Sequence, residues 1–170
     1  GCTRVALVSL DIIPGIEYAY KKEVFDECKS WFHRMTLGTP LVYWQGQEEK
    51  RDDVADVMAA VAKELPARAE DEAVLLMAHG TPHPANAYYA VMQDRLEKLG
   101  EERVYIYTVE GRPHLDDIVP KLKEAGVRKV TLAPLMLVAG DHATNDMAGE
   151  EPDSHKSLLE REGFCVQTIL

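Results

Sequence analysis

The chain has no long hydrophobic run, few cysteines and fewer basic than acidic residues. No stretch approaches the roughly 20 consecutive apolar residues that a transmembrane helix needs, so the sequence excludes an integral membrane protein. Its 19 basic against 29 acidic residues give a formal net charge of −10, whereas proteins that bind nucleic acid present a basic face to the phosphates. We therefore expect neither a membrane nor a nucleic acid as a partner.

Cysteine usage and the absence of a leader pattern bear on the compartment. Cys2, Cys28 and Cys165 are far apart and odd in number, which favours neither a disulfide framework nor a cysteine-based zinc site. No charged segment followed by an apolar segment comes after Gly1, so no signal peptide is visible. Together these features predict a reducing compartment, and we expect the cytoplasm.

What is present is an alternation of short apolar runs with amphipathic stretches, which is typical of βαβ units around a mostly parallel sheet. The run 73–77, apolar at every position, predicts a strand that is covered on both faces. The sequence thus predicts an α/β fold. The candidate strands are 4–9, 40–43, 73–78, 103–109, 128–138 and 165–169.

Three stretches have the apolar spacing of a helix. Val54, Val57, Met58, Val61 and Leu65 follow such a spacing after a possible cap at Asp52 or Asp53. Similar stripes run through 88–96 and 115–122, and glycines stand at 126 and 163, where helices commonly end.

Composition divides the chain into two lobes. The polar stretch 45–53 is interpreted as a solvated loop that leads into a helix, because charge runs are usually solvated. A second shift in composition falls at 66–72, just before the most hydrophobic strand. We therefore predict a smaller first lobe, 1–69, and a fuller second lobe, 70–170.

Polar side chains concentrate after the predicted strands, where open α/β sheets bind ligands. His79 follows one strand, His142 follows another, and Asp11 and Glu17 follow the first. Imidazole and carboxylate together suit divalent ions such as cobalt, nickel, iron and zinc. The sequence therefore predicts a metal site at the carboxyl edge of the sheet, with structural, hydrogen-bonded histidines as the alternative.

Neighbouring residues have supporting or competing interpretations. Glu17 is equally a first-turn carboxylate that complements a helix dipole, and His83, flanked by two prolines, is at most a pocket residue. Asp141 and Asp146 are either helix caps or carboxylates that orient His142. Gly80 and Gly140 would let a flat ligand approach the backbone closely.

Four segments together resemble the sirohydrochlorin cobaltochelatases, the anaerobic cobalt chelatases of cobalamin biosynthesis. The segment 135–148, Leu-Met-Leu-Val-Ala-Gly-Asp-His-Ala-Thr-Asn-Asp-Met-Ala, is similar to the family's hallmark segment. The segments 78–86, 9–18 and 36–41 are similar to three others, in the same order along the chain. The resemblance covers nearly the whole chain.

The resemblance implies a class II chelatase with two flavodoxin-like or Rossmann-like lobes and a tetrapyrrole, sirohydrochlorin, in the cleft between them. It implies Co²⁺ as the substrate metal and no organic cofactor. Its implied metal-binding and catalytic residues are Glu17, His79 and His142. Residues expected near the substrate are Gly80, Thr81, His83, Asn86 and Gly140, with Asp141 and Asp146 behind the ligands.

Two departures from the family pattern accompany the resemblance. Asp11 stands where relatives usually have histidine. The family's opening strand–helix–strand–helix portion and its last helix have no counterpart here, which predicts an incomplete first lobe. We therefore expect either a fragment or a chain that pairs with a second chain, and a homo-oligomer is the expected form of such pairing.

The implied reaction strips water from the ion, removes two pyrrole N–H protons and needs no nucleophile. Iron or nickel insertion is an alternative, because His/Glu ligation does not discriminate among these ions. A non-catalytic module that binds the metal or the tetrapyrrole is another. A flavodoxin-like nucleotide binder has less support, since no G-x-G-x-x-G or Walker loop is present.

Overall fold

A computed structural model describes residues 1–138 and 140–170, in which strands and helices alternate along the chain. This alternation confirms the predicted α/β class. The strands are β1 (Arg4–Leu7), β2 (Arg34–Leu37), β3 (Glu72–Ala78), β4 (Val104–Thr108), β5 (Lys129–Pro134) and β6 (Cys165–Thr168). The helices are α1 (Ile16–Cys28), α2 (Asp53–Glu64), α3 (Tyr88–Lys98), α4 (Leu115–Glu124) and α5 (His155–Arg161).

The strands form two sheets, and every pairing between the described strands is parallel. β1 and β2 form a two-stranded sheet, and the other four strands form a second sheet in the order β4-β3-β5-β6. Because parallel strands end at the same edge, the segments after β3, β4 and β5 emerge side by side. That edge is where the sequence predicts a site.

The larger sheet lies between two helical layers. Ala73, Leu75 and Met77 of β3 pack into a core that includes residues of α4 and α5. Val74 and Leu76 point to the other face and pack with residues of α2 and α3. This use of both faces explains why the strand is apolar at every position, as the sequence predicted.

The predicted helix boundaries have local causes. The side chain of Asp52 accepts a hydrogen bond from the Ala55 N–H at 3.0 Å, which caps α2 as expected. Gly126 and Gly163, just beyond α4 and α5, have positive φ values of 70° and 93°. α2 falls in the predicted first lobe but packs on the larger sheet, and the division at residue 69 stays a prediction.

The smaller sheet buries much less apolar surface. Residues of β1 and β2 alternate between exposed and half-buried, and α1 has no fully buried residue. Val8, Val24 and Trp31 are among the exposed large apolar side chains of this region. The stabilising burial is therefore concentrated around the second sheet.

Two predicted strands are wrong in position or length. Residues 40–43 form a loop, whose Leu41 and Val42 N–H groups bond the carbonyls of Asp11 and Ile12, and the strand lies instead at Arg34–Leu37. Val42 is apolar because it is buried in a core, not because it belongs to a sheet. The predicted strand 128–138 is shorter in the structure, where it spans Lys129–Pro134.

No helix in the described part of the chain is both long enough and apolar enough to cross a bilayer.

Candidate metal site

Three neighbouring strands deliver polar side chains to one edge of the larger sheet. His79 follows β3 directly, Glu110 comes two residues after β4, and His142 begins a π-helix, His142–Met147, beyond β5. The Glu110 N–H donates to the His79 carbonyl at 2.8 Å, so the segments that follow β3 and β4 are in direct backbone contact. The strand order β4-β3-β5 therefore brings residues that are far apart in sequence to one place.

His79, Glu110 and His142 form a group with the composition of a metal site. One potential ligand atom from each lies within 4.8 Å of the others. The two imidazole rings are nearly perpendicular, with centroids 4.9 Å apart, and Oε2 of Glu110 is 3.9 Å from Nδ1 of His79. All three side chains are partly exposed, so an ion from solvent can reach two nitrogens and a carboxylate oxygen.

Each imidazole has a partner that fixes its orientation. Nδ1 of His142 lies 2.5 Å from Oδ2 of Asp146, and Nδ1 of His79 lies 2.9 Å from the Gly80 carbonyl. When these nitrogens carry the ring proton, both Nε2 lone pairs are free for a metal. Buried Ala143 and Met147 anchor the π-helix in the core, and its turn places Asp146 beside His142.

A cavity of about 380 Å³ opens beside this group. Glu17 shares its wall with His79, but Glu17 is not part of the ligand group, whose carboxylate comes from Glu110. The N–H of Ile16, at the start of α1, donates to Thr81 Oγ1 at 3.2 Å and thereby fixes Glu17 near the His79 segment. The lining residues are Leu10, Asp11, Ile12, Ile13, Glu17, His79, Gly80, Tyr89, Leu135, Met136, Leu137 and Val138.

Tyr89 supplies a neutral hydroxyl to this wall. The pKa of Tyr89 is raised to about 12, chiefly by burial; a hydrogen bond with the backbone of Gly80 opposes the shift, and the negative charge of Glu17 contributes to it. The phenol therefore stays protonated at neutral pH and lies close enough to Glu17 to sense its charge.

Three residues expected at the substrate have their polar atoms engaged within the protein. Thr81 Oγ1 accepts from two backbone N–H groups, and Nδ1 of His83 accepts from the Ala85 N–H at 3.1 Å. The carboxamide of Asn86 bonds the Thr81 N–H and the Arg112 carbonyl. Their contact with substrate stays a prediction, but these contacts stabilise the segment that follows His79.

The two glycines differ in their surroundings, as do the two aspartates. Gly80 has φ +81° and lines the cavity, whereas a side chain at exposed Gly140 would meet open space.

Asp146 contacts the His142 ring, whereas Asp141 accepts a hydrogen bond from the Asn145 side chain. Of the residues expected to support the site, Gly80 and Asp146 lie nearest to its histidines.

Sequence reasoning missed Glu110. The signal was available, because the predicted strand 103–109 ends immediately before Glu110, where a carboxylate would reach the carboxyl edge of the sheet. Glu17 follows a predicted strand in the same way, and its expected role as a metal ligand stays a prediction. Only the order of the strands shows which acid stands beside the histidines.

The known proteins that are similar in sequence to this chain include cobalt chelatases. The sequence profile of the cobalt chelatase (CbiK) family matches residues 1–170. The chain is 40% identical to the sirohydrochlorin cobaltochelatase CbiKC of Nitratidesulfovibrio vulgaris over 98% of its length, and 36% identical to the sirohydrochlorin cobaltochelatase of Salmonella typhimurium over 96%. It spans 58% and 60% of those relatives' own lengths.

A solved structure is also similar to part of the chain. The cobalamin (vitamin B12) biosynthesis CbiX protein of Marinobacter aquaeolei is 27% identical, with a TM-score of 0.45, over 58% of this chain and 80% of that one.

Proposed function

The chain belongs to the cobalt chelatase (CbiK) family, and we propose that it carries the metal-inserting site of a sirohydrochlorin cobaltochelatase. The reaction exchanges two pyrrole N–H protons of sirohydrochlorin for one Co²⁺ ion. The observation that carries the proposal is the convergence of His79, Glu110 and His142 beside a cavity that His79 lines. The names of the two curated relatives supply the substrate.

In this proposal Nε2 of His79, Nε2 of His142 and the Glu110 carboxylate hold the incoming ion. Two nitrogens and one oxygen leave positions for water, and these are the positions that pyrrole nitrogens must take. The carboxylate reduces the net charge of the complex, and three protein ligands together do not enclose the ion. Such an open set suits transfer of the metal better than permanent storage.

The apolar wall of the cavity is suited to the flat macrocycle. Leu10, Leu137 and Val138 line it while remaining 67%, 45% and 64% exposed. Exposed aliphatic side chains around a cavity are typical of a surface that a ligand covers. The ring would pack on them with its nitrogens directed towards the histidines.

Glu17 is proposed as the group that receives a pyrrole proton. Its carboxylate lies on the cavity wall outside the ligand group, so the metal does not occupy its oxygens. The second proton passes to an imidazole as it is displaced from the ion, because histidine exchanges protons near neutral pH. This assignment changes the role of Glu17 from the metal ligand expected from sequence to a base.

Related aspects of the proposal follow the same reasoning. Cobalt rather than iron or nickel is proposed from the family, no organic cofactor is required, and the cytoplasm is the expected compartment. A homo-oligomer remains the proposed state for a chain with so much exposed apolar surface around α1.

The proposal is tested by following the visible spectrum of sirohydrochlorin when this chain is mixed with Co²⁺ or Fe²⁺. We expect cobalt insertion above the uncatalysed rate, a weaker but measurable Co²⁺ affinity in Glu110→Gln, and a slower insertion with retained Co²⁺ affinity in Glu17→Gln. Glu23→Gln, an exposed acid on the same helix as Glu17, is the control. Binding of Co²⁺ or of the ring without any insertion would indicate a binding module instead.

A further inference from the structure

The segments that carry His79 and Glu110 cross at a point where neither tolerates a side chain. A Cβ on Gly80 would come 2.5 Å from the Gly111 nitrogen and 2.8 Å from Thr108 Cβ. The two backbones also bond directly, since the Val109 and Glu110 N–H groups donate to the carbonyls of Ala78 and His79. The position of Glu110 relative to His79 therefore depends on how closely these segments approach.

Asn86 joins the two segments with a single side chain. Its Oδ1 accepts from the Thr81 N–H at 3.2 Å, on the segment after His79. Its Nδ2 donates to the Arg112 carbonyl at 2.7 Å, two residues beyond Glu110. Gly111 lies against the same carboxamide, and a Cβ there would collide with Oδ1.

We propose that Asn86 is a positioning residue that holds the Glu110 carboxylate beside His79. The proposal rests on the proposed role of Glu110 as a metal ligand. A carboxamide is required because one of its atoms must accept and the other must donate, which neither a carboxylate nor an aliphatic side chain can do. In this role Asn86 acts on the metal through the backbone of 110–112 and is not itself a ligand of the ion.

Gln93, on helix α3, provides a matched control, because its carboxamide also bonds two backbone groups. Its Oε1 accepts from the Ile106 N–H at 2.9 Å, and its Nε2 donates to the Val104 carbonyl at 3.0 Å. Gln93 thus makes the same two kinds of bond to the backbone of β4, but within the strand and not at the edge where the ligand group lies. Both Asn86→Ala and Gln93→Ala should lower the stability of the fold. Only Asn86→Ala should also weaken Co²⁺ binding.

The test measures Co²⁺ affinity and the visible d–d absorption of bound Co²⁺ in the full chain. Asn86→Ala should weaken Co²⁺ binding by about tenfold, the lower end of what loss of an outer partner costs a metal site. The same substitution made in Glu110→Gln should leave the affinity and spectrum of that variant unchanged. Gln93→Ala should bind Co²⁺ as the original chain does.

Each other outcome has a definite meaning. Equal weakening by Asn86→Ala in both backgrounds, or no weakening in the original chain, would overturn the positioning role while leaving Glu110 as a ligand. If Glu110→Gln itself binds Co²⁺ normally, the proposed ligand set fails, and the role of Asn86 fails with it. If Asn86→Ala does not fold, Asn86→Ser, whose hydroxyl is too short to join both segments, replaces it with the same expectations.

Discussion

The imidazole rings of His79 and His142 meet edge to face, with centroids 4.9 Å apart, although 62 residues separate them in the chain. Neither ring is fully buried, and each has its Nδ1 engaged by a neighbouring oxygen. With Nδ1 engaged on each ring, Nε2 is the nitrogen that remains on each for a metal. In the proposed site these two rings bind one ion in common.

Removal of either ring should abolish most of the metal affinity. We expect His79→Ala and His142→Ala each to weaken Co²⁺ binding by more than the roughly 10–100-fold that loss of an outer partner costs. Titration calorimetry with Co²⁺ measures the effect. His33→Ala, an exposed histidine far from the sheet edge in sequence, should bind Co²⁺ unchanged, and equal affinities in all three variants would contradict the site.

Asp146 should matter through the orientation of His142. Asp146→Asn keeps the size of the side chain but removes the charge that favours a proton on Nδ1, so we expect Co²⁺ affinity to fall by about tenfold. The fall should exceed that of Asp153→Asn, which changes an exposed acid after the π-helix by the same single charge. Equal losses in the two variants would mean that only net charge matters.

The second sheet could be predicted from sequence because its strands are marked by short, continuous apolar runs. The run 73–77 is apolar at every position, and only a strand covered on both faces requires that pattern in so short a segment. β2 could not be predicted in the same way, because Arg34–Leu37 is short and half-exposed, whereas the loop at 40–43 buries Val42 and resembles a strand.

The sequence predicts a metal site that contains His79 and His142, but it does not predict which carboxylate lies beside them. His79 and His142 follow strongly apolar strands, so their arrival at one edge of the sheet follows from parallel pairing alone. The choice between Glu17 and Glu110 depends on β4 lying next to β3, which no local pattern encodes. The engagement of Asn86 by two backbone groups likewise depends on the crossing of distant segments.

Gly80 should be intolerant of substitution for two separable reasons. Its φ of +81° costs an alanine about 1–2 kcal/mol, and the clash with Gly111 should add about 1–3 kcal/mol. Gly100 has nearly the same φ, +82°, but open space around it, so Gly100→Ala should lose only the first amount. Urea unfolding measures both free energies, and a loss in Gly80→Ala no greater than in Gly100→Ala would refute the close approach.

His155 should make the stability of the chain sensitive to mild acid. Its Nδ1 lies 2.9 Å from the hydroxyl of fully buried Tyr107. Burial lowers the pKa of His155 below its usual value, although the charge of Asp146 opposes the shift and His142 adds to it. Above the ordinary histidine pKa of about 6.5 both the folded and unfolded chains keep this ring neutral.

As the pH falls below about 6.5, the unfolded chain takes up a proton at His155 before the folded chain does, so stability decreases, by at most about 1.4 kcal/mol per pH unit for one proton. His155→Gln, which can still bond the Tyr107 hydroxyl, should remove this contribution below about pH 6.5. His33→Gln, the same substitution at an exposed histidine, is the control. Unfolding by urea across this range measures the slopes. A slope that is unchanged in His155→Gln would show that the folded chain already accepts the proton, which would require the Tyr107–His155 contact to tolerate a charged ring.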